Sequence, residues 1–259
     1  MTKKLRILLI VSASLLVIII SYMSILEILS VNKAIAEFNE RFNAELGKQE
    51  FNFIPSNDSA IMAKQYQLAY YNSQLETAKS DSISLTLDLT DSTATLMIKG
   101  IVLHQAKIEK IKSSNFLQAV DPSALYCMLY SPIKVVEHKS TIQKVPLMVK
   151  IAPKDTSEYT PDVVPDTTDI DAVNYILETN AGIQLYFYES NPKESSNGLK
   201  QFKFDFRDRV QTGYHLFMSA VTFKKPKYQP EIRIKLKKRD AKIIYRALPE
   251  KADIILKIR

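Results

Sequence analysis

One cysteine and three histidines are the residues of this 259-residue chain best suited to nucleophilic chemistry: Cys127, His104, His138 and His215. A thiol attacks a carbonyl only as the thiolate, and a base within reach must take its proton. Cys127 lies in the apolar run Leu-Tyr-Cys-Met-Leu-Tyr, far from any histidine in sequence. No histidine has a local motif, so inert packing is the expected role of this cysteine. The same four residues show no zinc spacing. Six acids between 154 and 171 lack the ligand order of a calcium loop and read as a solvated, exposed loop. Five glycines in the whole chain argue against phosphate or dinucleotide loops. No metal and no cofactor is expected, and a single cysteine excludes an intrachain disulfide framework.

Charge is the other chemistry on offer. The net charge is +7, and from Lys193 onward eighteen Lys or Arg face seven Asp or Glu. Arg233, Lys235, Lys237 and Arg239 concentrate this excess and form a candidate site for an anionic ligand. They stand in the last thirty residues, which read as strand, helix, strand. Ile232, Ile234 and Leu236 alternate with Arg233, Lys235 and Lys237, the period of a half-buried strand. Asp240 suits a helix first turn. Ala241, Ile244, Tyr245 and Leu248 then fall on one helical face, and Pro249 stops it. Ile254, Leu256 and Ile258 form the closing strand.

At the other end of the folded region, Ile83, Leu85, Leu87 and Leu89 alternate with polar residues. Thr90-Asp91-Ser92 turns the chain, and Ala94, Leu96 and Ile98 run on to Lys99-Gly100. A third strand is expected over 101–111. These two ends together resemble the L,D-transpeptidase (YkuD-type) catalytic domain. That family opens with a hairpin carrying a glycine where Gly100 stands, and closes with a helix beginning Asp-Ala and ending Leu-Pro, as at Asp240-Ala241 and Leu248-Pro249. The resemblance implies a site written His-Gly-(Thr/Ser), then Ser-His-Gly-Cys-x-Arg. Here His215 falls near the first histidine, Leu216 replaces the glycine, Glu231 and Ile232 replace His-Gly, Arg233 stands at the cysteine and Lys235 at the arginine. A guanidinium is not a nucleophile. Bulky Leu216 and Ile232 would crowd a backbone approach that glycine permits. The resemblance therefore implies the scaffold without the reaction, with His215, Arg233 and Lys235 as degenerate-site positions and no catalytic residue.

The chain begins differently. Lys3, Lys4 and Arg6 precede twenty uncharged residues, 7–26, long enough to cross a bilayer. Basic residues on the amino side place that end in the cytoplasm, as an uncleaved anchor; a cleaved signal peptide is the rival reading. Beyond it Ile28, Val31, Ile35, Phe38 and Phe42 step by three and four, either a seam for a partner membrane protein or a second copy, or a stripe packed on the chain's own next helix. Gly47 ends the helix. Ser59 can cap a second, over 60–78, with Ile61, Leu68 and Leu75 at sevenfold spacing. Further strands are expected at 133–136, 146–151, 172–178, 182–189 and 202–206, and a short helix after Asp121-Pro122-Ser123.

The expected fold class is mostly β (α+β). Residues 1–26 form a cytoplasmic tip and anchor, 27–80 a helical stalk or hairpin, and 81–259 an L,D-transpeptidase-like domain outside a bacterial inner membrane. The expected function is peptidoglycan binding or scaffolding in the cell envelope, without catalysis and without nucleic acid. The alternatives are an active peptidoglycan transpeptidase or hydrolase with a rearranged site, and a structural subunit of an inner-membrane assembly.

Overall fold

The computed structural model describes residues 3–46, 53–56, 58–144, 172–190, 203–206, 210, 213, 218–219, 222 and 226–258. The expected strand at 146–151, the acidic loop at 154–171 and His215 lie outside these residues.

Helix α1, Lys3–Leu46, runs 44 residues without a proline or glycine to bend it. Among the described residues it is the one helix long and apolar enough to cross a membrane. Ile10, Val11, Leu15, Val17, Ile18 and Ile20 of its first half are all exposed. Its second half is amphipathic, and there the buried stripe takes over: Leu26, Ser30, Phe38 and Phe42 are buried, and Ala34 and Ile35 pack against the core. Phe38 meets Phe116 edge to face at 5.4 Å. Of the five seam positions, Ile28 alone stays largely exposed, at 61%. The stripe is therefore used mainly inside the chain, and only its first member is offered to a partner.

Helix α2, Ser59–Ala78, starts from Asp58, whose carboxylate accepts from Ala60 N at 2.8 Å; Asp58, one residue ahead of Ser59, is the cap. The short helix α3, Phe116–Ala119, precedes α4, Pro122–Tyr130, in which every residue from Ala124 to Leu129 is buried. Helix α4 packs against both α1 and α2. The described part of 27–80 is helical, and each of its two helices packs on α4. Phe38, Phe42, Tyr66 and Ala69 belong to the same core as the strands, while Ile61, Leu68, Tyr71 and Leu75 of α2 stay exposed.

Among the described residues nine strands form one sheet: β1 Ser84–Asp88, β2 Thr93–Ile98, β3 Ile101–Lys107, β4 Lys110–Ser113, β5 Ile133–Ser140, β6 Asn174–Thr179, β7 Gln184–Glu189, β8 Glu231–Leu236 and β9 Asp253–Lys257. Their order is β3-β2-β1-β9-β5-β6-β7-β8-β4. The edge strands β3 and β4 are consecutive in the chain, joined only by Ile108 and Glu109. Ile108 N donates to Ser92 O at 2.8 Å, and Glu109 N donates to Lys235 O at 2.9 Å. The expected single strand 101–111 is therefore one path that pairs first with β2 and then with β8, and the sheet must curl until its two edges meet. β5 does the same on the far side, pairing with β9 at Ile133 and Lys134 and with β6 from Val135 on.

Helix α5, Lys238–Ala247, links β8 to β9 and buries Ala241, Ile244 and Tyr245. Tyr245 packs on Tyr175, ring centroids 4.8 Å apart. β9 lies parallel to β1 in the register Leu85↔Ile254 and Leu87↔Leu256, so the closing β-α-β unit sits directly beside the opening hairpin. The class is α+β, but with more helix than strand. The helices at the amino end outweigh the sheet, and residues 203–206 are helical where alternating Phe suggested a strand. Phe204 packs on Ile176, Tyr186 and Tyr188, while Phe206 is 56% exposed, so the alternation does not bury both.

Candidate anion-binding face

Strand β8 puts Ile232, Ile234 and Leu236 into the core and turns Arg233 and Lys235 to the opposite face. Its neighbours decide what those cations meet. On one side is β7, parallel, with Tyr186 beside Arg233 and Tyr188 beside Lys235. On the other is β4, antiparallel, with Lys112 opposite Arg233 and Lys110 opposite Lys235. Opposed residues on adjacent strands hold their Cβ atoms about 5 Å apart, and like charges there repel. Two such cation pairs stand side by side.

Arg233 is neutralised locally. Its Nη2 donates to Glu231 Oε2 at 2.9 Å, and its guanidinium carbon lies 5.5 Å from the centre of the Tyr186 ring. Burial works against its charge, but the hydrogen bond and attraction of Glu231, with Tyr188 and Asp205 adding to it, raise its pKa on balance. Tyr188 OH donates to Asp205 Oδ1 at 2.9 Å. Burial first, and then the Asp205 charge, push that phenol well above its ordinary value. Tyr186 OH donates to Gln184 Oε1 at 3.0 Å, and Gln184 Nε2 donates to Gln229 Oε1 at 2.9 Å and Glu178 Oε1 at 3.3 Å. Lys139 Nζ holds Glu178 Oε1 at 2.8 Å. From Arg233 to Lys139 the face is a knit polar surface with no open nucleophile.

Lys110, Lys112 and Lys235 differ. None of the three has an ion-pair partner among the described residues. Lys110 and Lys112 are exposed and Lys235 half-buried. Lys237, exposed, extends the row at the end of β8. Arg239, exposed, stands on α5, whose buried face packs on the core. Sequence reasoning missed Lys110 and Lys112. Their two-residue spacing was visible, but the fold alone brings β4 against β8.

The other candidate residues are dispersed. His104 Nε2 lies 3.1 Å from Asp240 Oδ1 and ties β3 to α5. The His138 ring lies 6.0 Å from that of Tyr245. Cys127 is buried on α4. Burial, with a smaller push from Glu45, drives its thiol up to about 11. Among the described contacts no histidine reaches it, and no cluster of metal-ligating side chains occurs among the described residues.

No protein-family model, curated protein or solved structure matches the chain. The site must be judged on its own residues.

Proposed function

We propose that this chain is a membrane-anchored, non-catalytic cell-envelope protein built on an L,D-transpeptidase-like scaffold, and that strands β4 and β8 bind the acidic peptide stems of peptidoglycan. The observation that carries the reading is Lys110 directly opposed to Lys235, with Lys112 on the same strand and none of the three ion-paired among the described residues. A sheet surface that sets like charges face to face gains when an anion lies between them. Carboxylate-rich stems supply such charges repeatedly.

Two further points support it. The closing β-α-β unit lies beside the opening hairpin, as the scaffold requires. The position that would hold a nucleophile carries Arg233, clamped by Glu231. Catalysis through Cys127 has no support, since its thiol is buried and protonated at neutral pH. The apolar first half of α1 is the anchor of this reading. Lys3, Lys4 and Arg6 put its start in the cytoplasm and the remainder on the periplasmic side of a bacterial inner membrane.

The test is sedimentation of the full-length chain, in detergent, with purified sacculi. Binding that weakens as salt rises from 50 to 300 mM is expected, because exposed charges are screened over about 10 Å at such concentrations. Binding should fall at least about tenfold when Lys112→Glu and Lys235→Glu are combined, a loss of about 1.4 kcal/mol. Absence of salt-sensitive binding overturns the proposal.

A further inference from the structure

Helix α2 packs Tyr66, Ala69, Ser73 and Thr77 inward and leaves an apolar stripe outside. Ile61, Leu68, Tyr71 and Leu75 are 44, 47, 50 and 63% exposed. With Lys64 and Ala78 they complete alternating steps of three and four along one face, the spacing of a helix-pairing seam. The stripe does not stop at the helix end. The β2–β3 turn rests there, since a Cβ on Gly100 would stand 3.6 Å from that of Ala78. Immediately after it Ile101, Val102 and Leu103 are exposed on edge strand β3. Exposed apolar side chains at helix-pairing spacing, with more on the adjoining strand, mark a docking site.

We infer that its occupant is a second copy of this chain, with the two α2 helices antiparallel about a twofold axis between residues 69 and 70. The stripe is complementary to its own reverse. That arrangement sets Ile61 against Ala78 of the other copy, Leu68 against Tyr71, and the aliphatic stem of Lys64 against Leu75. The outer layers set a large side chain against a small or flexible one, the central layer sets Leu68 against the Tyr71 ring, and symmetry repeats each layer. Charge agrees. Helix α2 carries one cation and one anion, Lys64 and Glu76. Both are exposed, and neither has an ion-pair partner among the described residues. The twofold axis brings each ammonium to the other copy's carboxylate, one residue beyond Leu75. A parallel pairing would set the two lysines together.

Two experiments on the full-length chain test this. In membranes holding two differently tagged copies, Lys64→Cys and Leu75→Cys should cross-link to each other through a short bis-maleimide. A Lys64→Cys product with itself, or no product, overturns the proposal. In detergent, light scattering should give a dimer mass. Leu68→Asp, at an exposed position that leaves the fold intact by circular dichroism, should raise the dimer dissociation constant at least about tenfold. Lys64→Glu should weaken the dimer, and adding Glu76→Lys should restore it. A monomer at all concentrations, a dimer indifferent to Leu68→Asp, or a charge swap that does not restore pairing also overturns it. The last result would point to a different protein on that face.

Discussion

Lys257 Nζ stands 2.6 Å from Asp88 Oδ2, joining the last strand to the first across the parallel β1–β9 ladder. Asp88 also accepts from Thr90 N at 3.0 Å, Asp91 N at 2.9 Å and the Thr90 hydroxyl. The Lys257 ammonium lies 5.7 Å from the Tyr70 ring, under α2. Burial alone would raise the Asp88 pKa, but the bonds from Lys257, Thr90 and Asp91 outweigh it and hold the carboxyl below its usual range. Lys257 is raised, chiefly by its hydrogen bond to Asp88.

A pH dependence follows from those directions. A carboxyl depressed in the folded state contributes stability that is complete above its unfolded value, about 4, and is lost as pH falls through the folded one. Lys257, raised, contributes below its unfolded value and loses that contribution as pH climbs through the folded one. Urea midpoints should therefore be flat near neutrality and fall at both extremes. Asp88→Asn should lower stability at pH 7 by about 1–3 kcal/mol and flatten the acid limb. An acid limb unchanged in that variant would remove Asp88 from the account.

The buried stripe of α1 predicts a contrast between two of its own residues. Phe38→Ala should cost about 3–5 kcal/mol, since the ring is 6% exposed and packs on Phe42 and Phe116. Ile28→Ala, at 61% exposed, should change stability by less than about 0.5 kcal/mol. Thermal melts of the two variants check it, and similar losses would mean the stripe is not packed as described.

Cys127 should label slowly. With its thiol pushed up to about 11, the ionised fraction at pH 7 is about one in ten thousand. A maleimide should react with the folded chain far more slowly than with the urea-unfolded one, as mass spectrometry would record. Rapid labelling of the folded chain would reopen the enzyme reading.

Arg233 and the neighbouring lysines should separate in function. Arg233→Ala leaves Glu231 without its partner and should cost stability by about 1 kcal/mol while changing sacculus binding by less than about threefold. Lys112→Glu should do the reverse. Measuring both quantities for both variants tells a clamped arginine from a ligand-binding one.

Much of the fold was legible because local rules and tertiary packing agreed. The closing unit is the clearest case: Ala241, Ile244, Tyr245 and Leu248 are all buried, as helical spacing demands. The change of partner between β3 and β4 left a trace too. Ala106 and Ile108 are buried two apart, but Ile111, three further on, packs against the same core. That phase slip marks the passage from one sheet edge to the other, although only the folded ladder shows where the strand goes next. The alternation at Phe204 and Phe206 misled because a period of two was taken for burial, whereas Phe204 packs on Tyr186 and Tyr188 and Phe206 is exposed. The α1 stripe fitted an intermolecular seam and an internal core equally well, since spacing carries no information about which surface it meets. The pairing of Lys110 and Lys112 with β8 depends on residues more than a hundred positions apart and has no local signal.

Helix α1 passes from its apolar half into the core stripe without a break. If that apolar half sits in a bilayer, the folded body is not hung on a leash but set on a mast. Its height and heading above the lipid are those of the helix itself. One residue added between Leu26 and Ser30 would lift the body by about 1.5 Å and swing it through about 100°. The cationic strands would then face in a different direction.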